Sequence, residues 1–309
     1  MRIKKPKFWD TRKNIFSYLL FPITTFVFLF IILKKKITKV KNFKIPIVCI
    51  GNIYIGGTGK TPLSIKIAKE LEKVGRNPVI VKKFYENQID EHLLIREKNV
   101  PLVTHKRRDL AIDKAEIKFD LAILDDGFQD YSIKKDLSIL CFNSNQLIGN
   151  GLLIPSGPLR ENLNEIKRAQ IIIINGTKNT DFEKSIFKIN KKIKIFYSIY
   201  ELNNANEFKE SSIHAMAGIG NPNNFFDLLE KNGLKIKKKI PYPDHYEFDK
   251  NEIMGMVENA KKDDSIFLTT EKDFLRIKKF EIQEINCCFV NLKIFGEEKL
   301  LNEIKKLYD

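Results

Sequence analysis

Three stretches of this chain combine residue types and spacings that can do chemistry. The first is Tyr54-Ile55-Gly56-Gly57-Thr58-Gly59-Lys60-Thr61-Pro62, between an apolar run and a helical pattern. It follows the phosphate-loop pattern G-x-x-x-x-G-K-[ST], with Tyr54 in place of the first glycine. Gly56, Gly57 and Gly59 let the backbone curl so that N–H groups face a phosphate at a helix N-terminus. Residues Tyr54 to Thr61 are therefore the candidate nucleotide loop. Lys60 would reach the β- and γ-phosphates, and the Thr61 hydroxyl would bind Mg2+. The second stretch is Leu121-Ala122-Ile123-Leu124-Asp125-Asp126-Gly127-Phe128-Gln129. An apolar strand ending in Asp is where such an enzyme places a carboxylate near the metal, and alternation would let only one of Asp125 and Asp126 face it. The third is Gly149-Asn150-Gly151 with Pro155-Ser156-Gly157-Pro158-Leu159-Arg160-Glu161. Its Pro and Gly density fixes a loop whose Arg160 would meet a phosphate and whose Glu161 would serve as a metal or base group. Taken singly, the acidic pair also reads as a turn cap, and the last stretch as a structural loop.

These residues need elements to hold them, and the pattern from residue 43 onward is α/β. Ile45 to Ile50, Asn77 to Val81, Asp120 to Leu124, Leu137 to Phe142 and Ile171 to Ile174 read as buried parallel strands. The run from Thr61 to Val74 has helical spacing and closes at Gly75. Such alternation predicts a doubly wound sheet with ligands at the strand C-termini. Ile193 to Tyr200 and the asparagines near Asn203 read as a connector. A second α/β unit follows: strand Ile213 to Ala217, helix Asn224 to Lys231, and strands Ile266 to Thr269 and Cys287 to Asn291. The expected organisation is an N-terminal segment over 1–42, a phosphate-loop domain over 43–205 and a smaller α/β domain over 206–309.

The N-terminal segment has its own chemistry. Ile15 to Leu33 carries no charge, with Lys4, Lys5, Lys7, Arg12 and Lys13 before it and Lys34, Lys35, Lys36, Lys39 and Lys41 after it. A spanning helix needs about 20 apolar residues, and Pro22 with Ser17, Thr24 and Thr25 weakens this one. No small-residue cleavage site follows. Basic flanks on both sides suit a helix or hairpin lying on the inner membrane face with its lysines on anionic headgroups.

Composition narrows the partners. Fifty-four Lys and Arg against 39 Asp and Glu give a net charge of +15 over 309 residues, which favours an anionic partner. The 23 phenylalanines lie mostly in apolar runs, so they are core and membrane contacts rather than platforms for stacking nucleic-acid bases, and no nucleic acid is expected. Thr270-Glu271-Lys272-Asp273 lacks the Asn of a guanine-reading signature, which argues against a GTPase switch. The four cysteines have no C-x-x-C spacing, in keeping with a reducing compartment.

Together these motifs resemble the tetraacyldisaccharide 4'-kinase family, the lipid A 4'-kinases. The resemblance rests on Gly51-Asn52 with the loop through Pro62, on Asp125-Asp126-Gly127-Phe128-Gln129, and on Gly149-Asn150-Gly151 with Pro155 to Glu161. It extends to Ala217-Gly218-Ile219-Gly220-Asn221-Pro222, Pro243-Asp244-His245 and Thr269-Thr270-Glu271-Lys272-Asp273. It implies transfer of the ATP γ-phosphoryl group, with Mg2+, to the 4'-hydroxyl of a lipid A disaccharide 1-phosphate. It also implies a monotopic enzyme on the cytoplasmic face of the inner membrane, built of two α/β/α domains with the active site in the cleft between them. No obligate protein partner is implied. The family's catalytic Asp and His fall on Asp90, in Asp90-Glu91-His92, and on His245. A carboxylate held by an imidazole can accept the proton of a sugar hydroxyl, a poor nucleophile by itself.

The chain departs from the family pattern in two places. Val81-Lys82-Lys83-Phe84-Tyr85-Glu86-Asn87 stands where the family usually has Ser-Arg-Gly-Tyr-Gly, the following loop is short, and His92 replaces a Pro. Lys82 and Lys83 would keep the charge of the missing Arg without its bidentate fork. Asp130 replaces the family's His after Phe-Gln. These departures leave a second expectation, a phosphate-loop NTPase of other or reduced activity at the membrane surface.

Overall fold

The structure, a computed structural model, describes residues 6–11 and 13–308. Lys4, Lys5 and Arg12 of the basic N-terminal flank lie outside the described residues. In chain order the elements are α1 (Ile15–Leu19), α2 (Phe21–Ile37), β1 (Ile47–Gly51), α3 (Lys60–Lys73), β2 (Pro78–Lys83), α4 (Ile89–Glu97), β3 (Leu102–His105), α5 (Arg108–Ala115), β4 (Leu121–Asp125), β5 (Leu137–Asn143) and β6 (Ile171–Asn175). They continue with α6 (Thr180–Ile189), β7 (Lys194–Leu202), β8 (Ser212–Ala217), α7 (Pro222–Lys231), β9 (Lys235–Pro241), α8 (Lys250–Lys262), β10 (Ser265–Thr270), α9 (Glu271–Ile277), β11 (Ile285–Cys288), β12 (Val290–Phe295) and α10 (Glu297–Lys305).

The chain divides into two compact units that do not follow a single linear boundary. The first comprises residues 1–84, 100–199 and 294–309; the second comprises 85–99 and 200–293. The expected boundary at 205/206 left α4 with the phosphate loop, whereas α4 packs on α9 within the second unit.

An eight-stranded sheet ordered β12-β7-β6-β5-β1-β4-β2-β3 runs through the first unit. Pairing is parallel from β3 across to β7. Strands β1, β4, β5 and β6 are buried along their whole length, as unbroken Ile, Val and Leu runs require when helices cover both faces. The order reverses at β1: β2 lies to one side beyond β4, and β5 lies on the other. That switch point puts the C-terminal end of β1, and the loop that leaves it, where a doubly wound fold binds ligands. The expected connector at Ile193 to Tyr200 is instead strand β7, paired with β6. Lys194 and the lysines just before the strand mask an alternation in which Ile195 and Tyr197 pack on the core.

In the second unit a four-stranded parallel sheet is ordered β11-β10-β8-β9. Phe225, Phe226 and Leu229 of α7 fill one cluster, and Ile253 and Val257 of α8 with Ile277 of α9 fill another. Edge strand β9 reads KIKKKIP with its lysines exposed, a charge pattern that blunts edge-to-edge pairing. The expected strand Cys287 to Asn291 is two strands, β11 and β12, that meet near Phe289.

The N-terminal segment forms α1 and α2, broken at Leu20, with Pro22 in the first turn of α2, where its missing N–H costs nothing. No helix of the described residues is long and apolar enough to cross a membrane. Phe16, Phe26, Leu29, Phe30 and Leu33 are exposed. Polar residues hold the pair to its own unit: the buried Thr24 donates to Ser156 Oγ at 2.7 Å, and Asn150 Nδ2 donates to Ser17 Oγ at 3.1 Å. Trp9 Nε1 donates to the Pro155 carbonyl at 3.0 Å.

Candidate functional site

In the first unit the phosphate loop leaves β1 and opens α3. Gly59 caps α3 at φ +87° and Gly56 lies at φ +117°, both in backbone space that a side chain would strain. Asn52 fixes the loop from inside: its Nδ2 donates to Thr58 Oγ1 at 2.9 Å and to the Gly56 carbonyl at 3.3 Å. The Pro155 to Glu161 stretch lies against the same loop. Ile55 N donates to the Pro158 carbonyl at 2.9 Å, Arg160 N donates to the Ile53 carbonyl at 2.7 Å, and Tyr54 bridges Leu159. The third stretch is thus a brace for the first.

Asp125, at the end of β4, is fully buried and accepts from the Thr61 hydroxyl at 2.8 Å. Lys82, its registered neighbour on β2, meets the same carboxylate oxygen at 2.5 Å and is nearly as buried. Strand alternation stops at Asp126, whose φ of +58° turns its carboxylate to Arg160 Nη2 at 2.5 Å and Lys60 Nζ at 3.7 Å. Both aspartates therefore reach the start of α3, where alternation alone predicts one. Burial works against ionising Asp126. The charges of Lys60, Arg160 and Lys82 outweigh it and hold the carboxyl far below the usual carboxylate range.

Glu161, the expected metal or base group, meets three other side chains. It is buried, with both oxygens taken by Arg168 Nη2 at 2.7 and 2.8 Å, and it also accepts from Gln129 Nε2 at 2.9 Å and from the Tyr131 hydroxyl. Asp130 takes the Ser132 hydroxyl at 2.6 Å and lies 3.5 Å from Arg108. Among the described residues no group of three or more His, Cys, Asp or Glu is placed to hold a metal ion. A Mg2+ that arrives on nucleotide phosphates needs only one or two protein carboxylates, so the Thr61 hydroxyl beside Asp125, with Asp126 next in the chain, fits that use. Glu161 does not.

Sequence reasoning missed Asn52 as the loop staple. It also missed Arg108, which donates to the Asp126 carbonyl at 2.7 Å, and Arg168. Only tertiary proximity marks Arg108 and Arg168; Asn52 stood in the Gly51-Asn52 motif without a role, and for Lys82 the signal was a lysine closing an otherwise apolar strand.

In the second unit Asp90, in the first turn of α4, meets His245 Nδ1 at 2.9 and 3.0 Å. They are 155 positions apart in sequence, and the fold brings the two side chains together. His245 lies at φ +56°, a left-handed conformation uncommon for a residue with a Cβ. Its Nε2 lies 3.7 Å from Glu91 and 3.7 Å from Asp244. Burial raises the cost of charge on Asp90, but the His245 hydrogen bond and the charges of Lys272 and Arg276 outweigh it and hold the carboxyl below its ordinary value.

A Gly-rich strand-to-helix loop ending in Lys-Thr, with an Asp-ended strand beside it in a parallel sheet, defines the P-loop class of nucleotide-binding proteins. A profile of the family described as Tetraacyldisaccharide-1-P 4'-kinase matches residues 16–309. A Tetraacyldisaccharide 4'-kinase from Pelagibacter ubique is 43% identical over 99% of this chain and 99% of its own length. One from Wigglesworthia glossinidia brevipalpis is 32% identical over 96% of this chain and 87% of its own length. The crystal structure of LpxK from Aquifex aeolicus in complex with ATP matches with a TM-score of 0.73 at 24% identity, covering 96% of this chain and 100% of that one; it shows the shared fold. The chain belongs to the tetraacyldisaccharide 4'-kinase family.

Proposed function

We propose that this protein transfers the γ-phosphoryl group of ATP to the 4'-hydroxyl of a tetraacyldisaccharide 1-phosphate, a step of lipid A assembly. The observation that carries this reading is the Lys60, Thr61, Asp125 and Asp126 arrangement at the start of α3, in a chain that matches the kinase family over residues 16–309. The 4'-hydroxyl gives its proton to the Asp90–His245 pair, its oxygen bonds to the γ-phosphorus, and the bond from that phosphorus to the bridging oxygen breaks to release ADP. Asp90 is kept ionised by its neighbours and holds His245 Nδ1; the pair is the proton acceptor. Lys60 and Arg160 offset charge on the phosphoryl oxygens. Mg2+, when bound with the nucleotide, would be held by Thr61, Asp125 and Asp126 and would draw charge from the phosphates.

A micelle assay with γ-labelled ATP, the tetraacyl disaccharide 1-phosphate and Mg2+ tests this. Labelled lipid is expected from the wild-type protein. ATP binding without lipid product would overturn the acceptor assignment.

The acceptor is a lipid, and we place the protein at the cytoplasmic surface of the inner membrane through α1 and α2. Support comes from the exposed Phe26 and Phe30, at 74% and 66%, and from Lys34, Lys35 and Lys36 in the last turn of α2. Flotation with vesicles containing phosphatidylglycerol should recover the wild type and lose a Phe26→Ser, Phe30→Ser variant. Equal recovery of both would remove α2 from the attachment.

A further inference from the structure

The Thr269-Thr270-Glu271-Lys272-Asp273 stretch has no part in the phosphate loop, and its geometry shows what it does within the second unit. Thr270 caps α9: its Oγ1 accepts from Asp273 N at 3.1 Å and donates to Asp273 Oδ2 at 2.6 Å. Asp273 Oδ2 also accepts from Gly218 N at 2.8 Å, which ties the start of α9 to the turn after β8. Arg276, one turn on, donates to the Gly218 carbonyl at 2.6 Å and to the Tyr246 carbonyl at 3.1 Å. The turn that carries Asp244 and His245 is thereby fixed from α9.

Lys272 points from this clamp into the acid–base pair. Its Nζ lies 2.9 Å from Asp244, 3.4 Å from Glu91 and 3.4 Å from Asp90. It is mostly buried, so solvent screens little of its charge. The charged groups around Asp90 come from three elements. Glu91 is its neighbour on α4, and Lys98 past the end of that helix pairs with Glu271 at 2.5 Å. The turn before α8 supplies Asp244 and His245, and α9 supplies Lys272, Asp273 and Arg276, with the last at 3.7 Å from Asp90. One ammonium is thus shared by the candidate base and the two carboxylates nearest His245 Nε2. Arg276 is largely committed to Asp273 and to two backbone carbonyls.

We propose that Lys272 is a positioning residue for the Asp90–His245 pair: its shared ammonium keeps Asp90 an ionised hydrogen-bond partner of His245 and keeps Glu91 and Asp244 from competing for the imidazole. This rests on the kinase reading only for its kinetic consequence. Removing the cation leaves Asp90 beside Glu91 and Asp244 with Arg276 as the remaining fixed cation, so its carboxyl titrates at higher pH, and the form able to accept a proton is lost sooner as pH falls.

The pH profile of kcat/KM, which reports groups of the free enzyme, is the test. In Lys272→Met the acid limb should move up by about 1 pH unit or more, the size expected for losing an opposite charge within about 4–6 Å. Lys272→Arg, which keeps the charge, should hold the limb near its wild-type position even where kcat falls. A lysine of purely structural importance would lower activity equally at all pH values in both variants, and that result overturns the proposal. Should Lys272→Met fail to fold, Glu91→Gln removes a competing anion and should move the acid limb down; an unmoved limb there overturns the proposal as well. Titration of the Asp90 carboxyl carbon by NMR requires no turnover. An upward shift in Lys272→Met supports the proposal even if the wild type phosphorylates no lipid, a result that would sink the kinase reading alone. An unshifted Asp90 in an active enzyme sinks the Lys272 proposal alone.

Discussion

The phosphate-loop site of the first unit and the Asp90–His245 site of the second solve the same problem, holding charge in a buried place, with opposite means. Around Asp126 the cations dominate: Lys60, Arg160 and Lys82 act on it, and Arg108 holds its carbonyl. Around Asp90 carboxylates crowd in, and Lys272 and Arg276 balance them. The first arrangement suits an anionic ligand that brings its own charge. The second suits a group that must give and take a proton. Each site also holds one side chain at a left-handed residue, Asp126 at φ +58° and His245 at φ +56°, so both spend backbone strain to aim it.

The comparison predicts that the two sites fail differently. Lys60→Ala should lower lipid phosphorylation about a thousandfold and weaken ATP binding, since its charge acts on the phosphates directly. Asp90→Asn should lower kcat about a hundredfold or more and leave ATP affinity unchanged. Fluorescent-nucleotide titration beside the turnover assay separates the two. Loss of ATP binding in Asp90→Asn would erase the distinction between a ligand site and a proton site.

A smaller effect sharpens the electrostatic side. Lys82 and Asp125 form a buried pair at side-chain exposures of 4% and 0%. Removing one partner strands the other, so Lys82→Met should cost about 3 kcal/mol in urea unfolding. Adding Asp125→Leu should recover most of that stability without restoring activity, because the carboxylate beside Thr61 is gone. A Lys82→Met protein as stable as wild type would mean that Asp125 finds its compensation elsewhere.

How much of this was legible in the chain varies by residue. The loop from Tyr54 to Thr61 could be read directly, because a phosphate site made of backbone amides and one lysine needs only consecutive residues. The strands IVCIG, LAILD and IIIIN were legible for a similar reason: unbroken apolar runs have one natural place, between two layers of helices. Strand β7 was not, since Lys194 and its neighbours hide a half-buried alternation that only pairing with β6 reveals. Asp90 and His245 entered through family resemblance, because nothing local distinguishes one Asp or one of four histidines.

The sequence by itself determined the nucleotide loop, the parallel sheet that carries it and the kinase family. Covalent neighbours and side-chain periodicity suffice for those. Tertiary structure decided the rest. It turned Asp126 out of strand alternation, engaged Glu161 with Arg168 rather than leaving it open to a metal, set Lys82 against Asp125 across two strands, and brought α4 to α9 so that Lys272 meets Asp90. Electrostatic energies fall with distance in space and are indifferent to separation along the chain, so the partners that set these charges belong to the fold.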